Sequence, residues 1–426
     1  MTDNVRTAAF DVLRAVEERD SYVNLLLPAM LRERHIEGRD AAFATELTHG
    51  TLRRRGTYDA IIDIAVSKGI KTVDPAVLDV LRLGAHQILS MRVPSHAAVS
   101  TCVDLVRSEV GHKPVHFTNA VLRKISQTDL ETWLAKATRG KSKLETLSIV
   151  HSHPVWIIEA LHEALGNNWT ETEKLLAAQN ESPKVTLVAR PGLCEPEELP
   201  GEPGRLSPYA RYLDAGDPGA IPAVAEGRAG VQDEGSQLVA IALADAPLEG
   251  RDEQWLDLCA GPGGKAALLG AIAAQRGASL VANEVQPHRA DLVAQSLKLL
   301  KNTTVTVDDG REGPWDEGSF DRVLVDAPCT GLGALRRRPE SRWRRQPSDL
   351  DQLVPLQKAL LSRALDLVRP GGVVVYATCS PHRAETRAVV DAVLAGRDDV
   401  IAAEPVNWWP HIHGTDAMFS ITLTRR

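Results

Sequence analysis

The sequence predicts an all-helical N-terminal domain followed by an α/β domain with a mostly parallel sheet. From Val5 to Ile125, apolar residues recur at helical spacing, as in Val5, Ala9, Val12, Leu13 and Val16. After Gln237, short apolar runs alternate with longer helix-like stretches, the pattern of parallel strands joined by helices. The 426 residues also exceed one ordinary core, because domains commonly hold about 100 to 200 residues.

Taken in order, Leu78, Leu81, Ala85, Ile88 and Leu89 continue the helical spacing, and residues 1–140 are expected to form the helical domain. Pro154 to Ala178 reads helical and "KVTLVAR" reads as a strand. Residues 191–230 hold seven prolines and seven glycines, which makes helix and central strand both improbable there and suggests an irregular, partly packed segment. Residues 141–235 are therefore expected to be a small connecting subdomain, and 236–426 the α/β domain. Within the latter, "WLDLCA", "SLVANE", "TTVTVD", "FDRVLVDA" and "GGVVVYATC" are strands, while "KAALLGAIAA", "HRADLVAQSLKLL" and "LDQLVPLQKALLSRALDLV" are helices. The run "AMFSITLTRR" is expected to add an antiparallel edge strand. Ligands of such sheets sit outside the carboxyl ends of the strands. The polar landmarks there are the glycines after Cys259, then Glu284, Asp309, Asp326 with Cys329, and Cys379.

Composition narrows the function. A content of 43% hydrophobic and 25% charged residues is ordinary for a globular protein, and no run approaches the roughly 18 apolar residues of a membrane span. The N-terminus lacks a signal-peptide core, and five widely spaced cysteines suggest no disulfide framework. A cytoplasmic protein without membrane contact is expected. The net charge of -7 argues against a generally basic coat. Two local patches remain, "LRRRG" at Leu52 to Gly56 and "RRRPESRWRR". The second interleaves Trp343 and makes Arg336, Arg337, Arg338, Arg342, Arg344 and Arg345 the expected RNA contacts. Histidines in "HSHP" and "HIHG" lack companion cysteines at zinc spacing, so no metal is expected.

The stretch "DLCAGPGGKAALL" fails the P-loop pattern, since Cys259 replaces the first glycine and Ala266 follows the lysine, and it fails strict G-x-G-x-x-G. Gly261, Gly263 and Gly264 still let a ligand approach the backbone, and Lys265 opens a helix whose free N–H groups favour a carboxylate. Glu284, at the next strand's end, is placed to accept from ribose hydroxyls, and Asp309 from an adenine amino group. A nucleoside carrying an amino-acid carboxylate, S-adenosylmethionine, fits better than a pyrophosphate. The cysteines then acquire a use. Cytosine carbon-5 is a poor nucleophile, so its methylation needs a thiolate to add at carbon-6. Asp326 is placed to supply a proton or hydrogen bond at the ring's N3 edge, and a second thiol to assist release of the product.

The first 125 residues resemble the NusB-like RNA-binding domain through "AAFATELTHGTLRRRGTYDAII", "LDVLRLGAHQILSM", "HAAVSTCVDLVRS" and "FTNAVLRKI". "DLCAGPGGK", "DAPCTGLGALRRRPESRW", "YATCSPHRAE" and "GTDAMFSITLTR" resemble the RNA 5-methylcytosine methyltransferase family, in its bacterial ribosomal RNA branch called RsmB or Sun. The resemblance implies a Rossmann-like class I methyltransferase domain acting on small-subunit (16S) ribosomal RNA, and a monomer is expected. It makes Cys379 the nucleophile, with Cys329 assisting release. It makes Cys259, Ala260, Gly261, Pro262, Gly263, Gly264, Lys265, Glu284, Asp309 and Asp326 the S-adenosylmethionine site. Gly261 stands where alanine is usual in that family, and Glu284 where aspartate is usual. Two other readings compete. A non-catalytic RNA-binding or assembly factor is opposed by the intact Asp326, Cys329 and Cys379, and a nicotinamide-dependent dehydrogenase leaves the paired thiols unexplained.

Overall fold

A computed structural model describes residues 3–19 and 21–426. The described residues up to Ser182, together with Leu335–Arg345, form one compact unit, and Pro183–Ala334 with Gln346–Arg426 form a second.

The first unit is helical, from Asn4–Arg19 to Trp169–Ala178. Its helices start where side chains satisfy the free N–H groups of the first turn. Asp74 accepts from Ala76 N and Val77 N ahead of Pro75–Leu89, and Ser142 with Glu145 forms a capping box for Lys143–His151. Val12, Leu47, Tyr58, Ile61, Leu81, Leu122 and Ile125 are buried together in its core. Gly84 permits a close approach there, since a Cβ would lie 2.6 Å from Leu122 Cδ2. The boundary expected at residue 140 falls inside this unit. The expected connecting piece is divided, its three helices (Lys143–His151, Val155–Ala164 and Trp169–Ala178) belonging here and the rest to the second unit.

The second unit opens with β1 (Val185–Ala189), β2 (Glu202–Pro203), β3 (Ala210–Leu213) and β4 (Ala229–Val231), paired antiparallel in the order β2-β3-β1-β4. This corrects the expectation that the proline- and glycine-rich stretch excludes an internal strand. Its prolines fall outside β3, and Pro203 lies on the edge strand, where no ladder donor is missed.

The larger sheet holds β5 (Gln254–Asp257), β6 (Ser279–Asn283), β7 (Thr303–Thr306), β8 (Phe320–Asp326), β9 (Val368–Thr378), β10 (Val400–Ala402), β11 (Val406–Trp408) and β12 (Met418–Arg425). Their order is β10-β12-β9-β8-β5-β6-β7, with β11 also on β12. The five strands β9, β8, β5, β6 and β7 are parallel, with Leu256 opposite both Val281 and Val323. Alternate residues feed two apolar layers. Trp255, Val373 and Val375 pack under helices Glu234–Asp245, Gly264–Gln275 and Pro287–Leu297. Leu256, Val374 and Tyr376 pack under Leu350–Leu367 and Arg387–Leu394. Both faces are covered, which is why these strands read as continuous apolar runs. The last strand is antiparallel to β9 as expected, but it is not an edge, because β10 and β11 pair with it. The order of connection reverses at β5, with β6 on one side of it and β8 on the other, and that opens a crevice at the carboxyl ends.

Candidate active site

β5 ends in Asp257, which is fully buried, and neither carboxylate oxygen has a hydrogen-bond partner among the described residues. Burial first, then the nearby negative charge of Asp326, pushes its pKa up to about 7. The turn that follows is tied to the neighbouring strand by Ala260 N donating to Asn283 O at 2.8 Å. Gly263 has φ +106°, and a Cβ there would lie 2.8 Å from Ser296 Cβ and 3.0 Å from Val293 Cα, so only glycine fits. Helix Gly264–Gln275 then begins, its first N–H groups at the crevice. Lys265 turns back to Asp326, with Nζ to Oδ2 at 2.7 Å. Burial disfavours the ammonium, but Asp326 more than offsets this and the pKa is raised.

At the end of β6, Glu284 is buried and accepts from Gln286 N at 3.0 Å through Oε1. Its Oε2 lies 3.5 Å from Arg289 Nη1, and Arg289 Nη2 donates to Gly261 O at 2.6 Å. Asp309, beyond β7, is held by Arg311 Nε at 2.9 and 3.1 Å. Those hydrogen bonds are the main reason its pKa drops to about 2. The sequence reading missed Asn283. Its Nδ2 donates to Leu258 O at 3.1 Å and Asp308 O at 3.0 Å, and its Oδ1 accepts from Thr306 Oγ1 and Asp308 N, each at 3.0 Å. One buried amide thus ties together the ends of β5, β6 and β7. The signal was its place, a polar residue closing the apolar run "SLVANE".

The ends of β8 and β9 bring the two thiols together, Cys329 Sγ lying 3.4 Å from Cys379 Sγ. The hydrogen bond with Cys379, then burial, pushes the Cys329 thiol well above its ordinary value, with the charges of Glu385 and Asp326 adding to the effect. Cys329 therefore keeps its proton at neutral pH. The loop after it is pinned at Gly333, whose N donates to Cys379 O at 2.8 Å and whose O accepts from Ala417 N at 3.0 Å. A Cβ at Gly333 would lie 1.9 Å from Ala417 O, so the loop and the closing "GTDAMF" stretch touch backbone to backbone. Cys259 is a half-buried turn residue whose thiol is pushed up by burial first and then by Asp257, Asp326 and Glu284.

The arginine run lies in the first unit, and only part of it faces solvent. Arg342 is fully buried, contrary to its expected role as an RNA contact. It donates to Arg53 O at 2.8 Å, Ser152 O at 3.2 Å, Asn180 Oδ1 at 2.7 Å and Gln179 O at 2.7 Å. A guanidinium committed to four acceptors of the fold is not available to a phosphate. Arg336 is buried too, and its carbonyl accepts from Arg53 Nε at 3.2 Å. Arg344 donates to Ser21 O at 2.7 Å and Val16 O at 2.6 Å. Arg337 and Arg345 are half-buried, and Arg338 is exposed beside the Tyr22 ring, 5.2 Å from its centroid.

Comparison with known proteins bears on this arrangement. Residues 243–424 match the model of the 16S rRNA methyltransferase RsmB/F family, and residues 3–127 that of the NusB family. The ribosomal RNA small subunit methyltransferase B of Salmonella typhi is 32% identical over 94% of this chain and 92% of its own length. This chain belongs to that family. A putative methyltransferase of Mycobacterium tuberculosis is 51% identical over 99% of this chain and 97% of its own length. Among solved structures, that of PH0851 has a TM-score of 0.82 at 22% identity, covering 100% of this chain and 99% of that one, a likeness of fold. As a member of the family the chain is a ribosomal RNA methyltransferase, with a NusB helical domain and a Rossmann-like catalytic domain, and its methyl donor is S-adenosylmethionine. The crevice fits that donor on its own evidence, through the close-packed Gly261 and Gly263, the helix N-terminus, and the buried Asp257 carboxylate, whose oxygens have no hydrogen-bond partner among the described residues. Among the described residues no helix is long and apolar enough to cross a membrane, and no cluster of three or more metal-ligating side chains occurs.

Proposed function

We propose that the chain methylates carbon-5 of a cytosine in 16S ribosomal RNA through a covalent bond from Cys379 to carbon-6. The 3.4 Å thiol pair carries this reading. Two cysteines meet beside the Lys265–Asp326 pair, at the mouth of a crevice suited to S-adenosylmethionine. Cys379 is the nucleophile in this reading, the role that the family resemblance gives to the cysteine of "TCS". Its thiolate adds to carbon-6, and Asp326, oriented by Lys265, meets the N3 edge as charge develops there. When bound, S-adenosylmethionine supplies an electrophilic methyl group. Cys329 then passes its proton to the departing Cys379 sulfur and takes up the carbon-5 proton in exchange, so that the Cys379–carbon bond breaks and the product is freed.

Cys259 through Lys265, Glu284 and Asp309 hold the cofactor in this reading. The exposed Arg338 is the member of the arginine run that meets RNA in this reading. The target base leaves its stack to reach the thiols. The test removes the thiols singly. Cys379→Ala abolishes methylation and any covalent complex. Cys329→Ala accumulates a denaturation-resistant protein–RNA adduct when cofactor is present, and the double variant forms none. An adduct in Cys379→Ala instead would reverse the two roles, and full activity in both variants would end the covalent mechanism.

A further inference from the structure

The residues flanking both thiols converge on one carboxylate outside the site described so far. Glu385 is fully buried in the single turn Arg383–Glu385. Its Oε1 accepts from Thr330 N at 2.7 Å and from Gln357 Nε2 at 3.1 Å, and its Oε2 accepts from the Thr330 hydroxyl. The same Gln357 amide donates to Pro328 O at 2.8 Å. Cys329 is thus bracketed, its preceding residue held through Gln357 and its following residue held directly. On the other strand end, Ser380 Oγ shares a 2.9 Å hydrogen bond with Thr330 Oγ1, and Thr378 Oγ1 donates to Ser380 O at 2.7 Å. The Tyr376 hydroxyl donates to Glu385 O at 2.7 Å, which seats the turn against β9.

The chemistry of this cluster is specific. Three hydrogen bonds reach the two Glu385 oxygens, so the buried carboxyl group is fully paired. A buried carboxylate costs several kcal/mol unless its oxygens are paired, and charge-assisted bonds of this kind are about twice as strong as neutral ones. The fork onto Thr330 takes both its N–H and its hydroxyl, so it fixes the orientation of the Cys329–Thr330 peptide as well as its position. Errors of about 1 Å in a reacting group cost on the order of a hundredfold in rate.

We infer that Glu385 is the positioning residue of the thiol pair, holding Cys329 and Cys379 at their working separation by fixing the residues on either side of them. The inference rests on the two-thiol reading above, so its test includes a measurement that does not depend on the reaction. Diamide oxidises two adjacent thiols to a disulfide, its N=N bond taking up the two hydrogens. In the full-length wild-type protein it closes Cys329–Cys379 readily, as read by alkylation and peptide mass mapping. Glu385→Ala slows that closure at least tenfold. The same variant lowers kcat for RNA methylation by 10- to 100-fold and leaves KM for S-adenosylmethionine within twofold. Glu385→Gln, which keeps an acceptor for Thr330 N, recovers most of both. If Glu385→Ala folds poorly by its melting temperature, Thr330→Val removes one arm of the fork with little change in shape and carries the same expectation. Closure at the wild-type rate in these variants overturns the positioning role. Slow closure with undiminished turnover leaves the hold on the loops standing and overturns the two-thiol reading of the reaction. Equal losses in Glu385→Gln and Glu385→Ala, with a raised cofactor KM, reduce Glu385 to a fold residue.

Discussion

The resemblance puts alanine and aspartate where this chain has Gly261 and Glu284, and the geometry makes the two departures one change. A Cβ on residue 261 would lie 2.0 Å from Glu284 Oε2 and 2.9 Å from Arg289 Nη2, where ordinary contact begins at 3.4 Å. Gly261→Ala therefore forces the carboxylate back by about 1.4 Å, nearly the length of the one C–C bond by which glutamate exceeds aspartate. That retreat breaks the 3.0 Å bond from Gln286 N and the 3.5 Å contact with Arg289. Overpacking of this kind costs about 1–3 kcal/mol, equivalent to roughly 5- to 150-fold in S-adenosylmethionine affinity. Glu284→Asp alone loses a hydrogen bond, about 0.5–1.5 kcal/mol. The double variant restores the alanine–aspartate pair and binds within about threefold of wild type, a coupling of at least about 1 kcal/mol. Titration calorimetry of S-adenosylmethionine on the four proteins measures this directly. Additive losses, with the double variant weaker than either single one, would refute the steric argument.

Other expectations follow from the buried charges. Asp257 holds its proton to about pH 7 in the folded state and to about 3.8 otherwise. Its contribution to stability is thus full at low pH and is lost as pH rises through 7, by at most about 4 kcal/mol. Asp257→Asn removes that slope, so its gain in urea midpoint over wild type grows between pH 5 and pH 8, and a constant difference would exclude the shifted carboxyl. Arg342→Ala leaves four buried acceptors without their donor, at about 1–3 kcal/mol for each one left unpaired. It lowers the melting temperature by about ten degrees or more and leaves the salt dependence of RNA binding unchanged. Arg338→Ala does the reverse, reducing the salt slope by about one with the melting temperature preserved. Gly333→Ala, which meets Ala417 O and Cys379 O, impairs methylation more than cofactor binding, as kcat and calorimetry together will register.

The parallel strands were legible because each is an apolar run closed by a polar residue, as "FDRVLVD" is by Asp326. β10 and β11 were not, since three residues apiece with half-exposed side chains carry no period of their own and owe their order to pairing with β12. β3 was hidden for a related reason, four residues inside a stretch whose prolines argue against strands. In the site, motifs local in the chain announced the glycine loop, Glu284, Asp309 and the thiols. Asn283 and Glu385 did not announce themselves, because their partners lie 25 and 55 residues away. Arg342 misled for the opposite reason. Dense arginine reads as surface, and only acceptors from residues 53, 152, 179 and 180 make its burial tolerable.

That arginine also bears on the order in which the chain can be finished at the ribosome. The helical unit is closed by Leu335–Arg345, so the polypeptide visits it, leaves for about 150 residues, and returns. Until residue 345 has emerged, the carbonyls that Arg342 caps stay open, while the strands through β8 have already been made. Domains that are contiguous in sequence can mature one after another during synthesis; here the N-terminal unit reaches its final form only after half of the strands of the catalytic sheet exist. Pulse-chase proteolysis of stalled chains would show protection of the helical unit rising sharply when the stall point clears Arg345, and a chain cut after Ser182 would melt earlier than the same helices do in the whole protein.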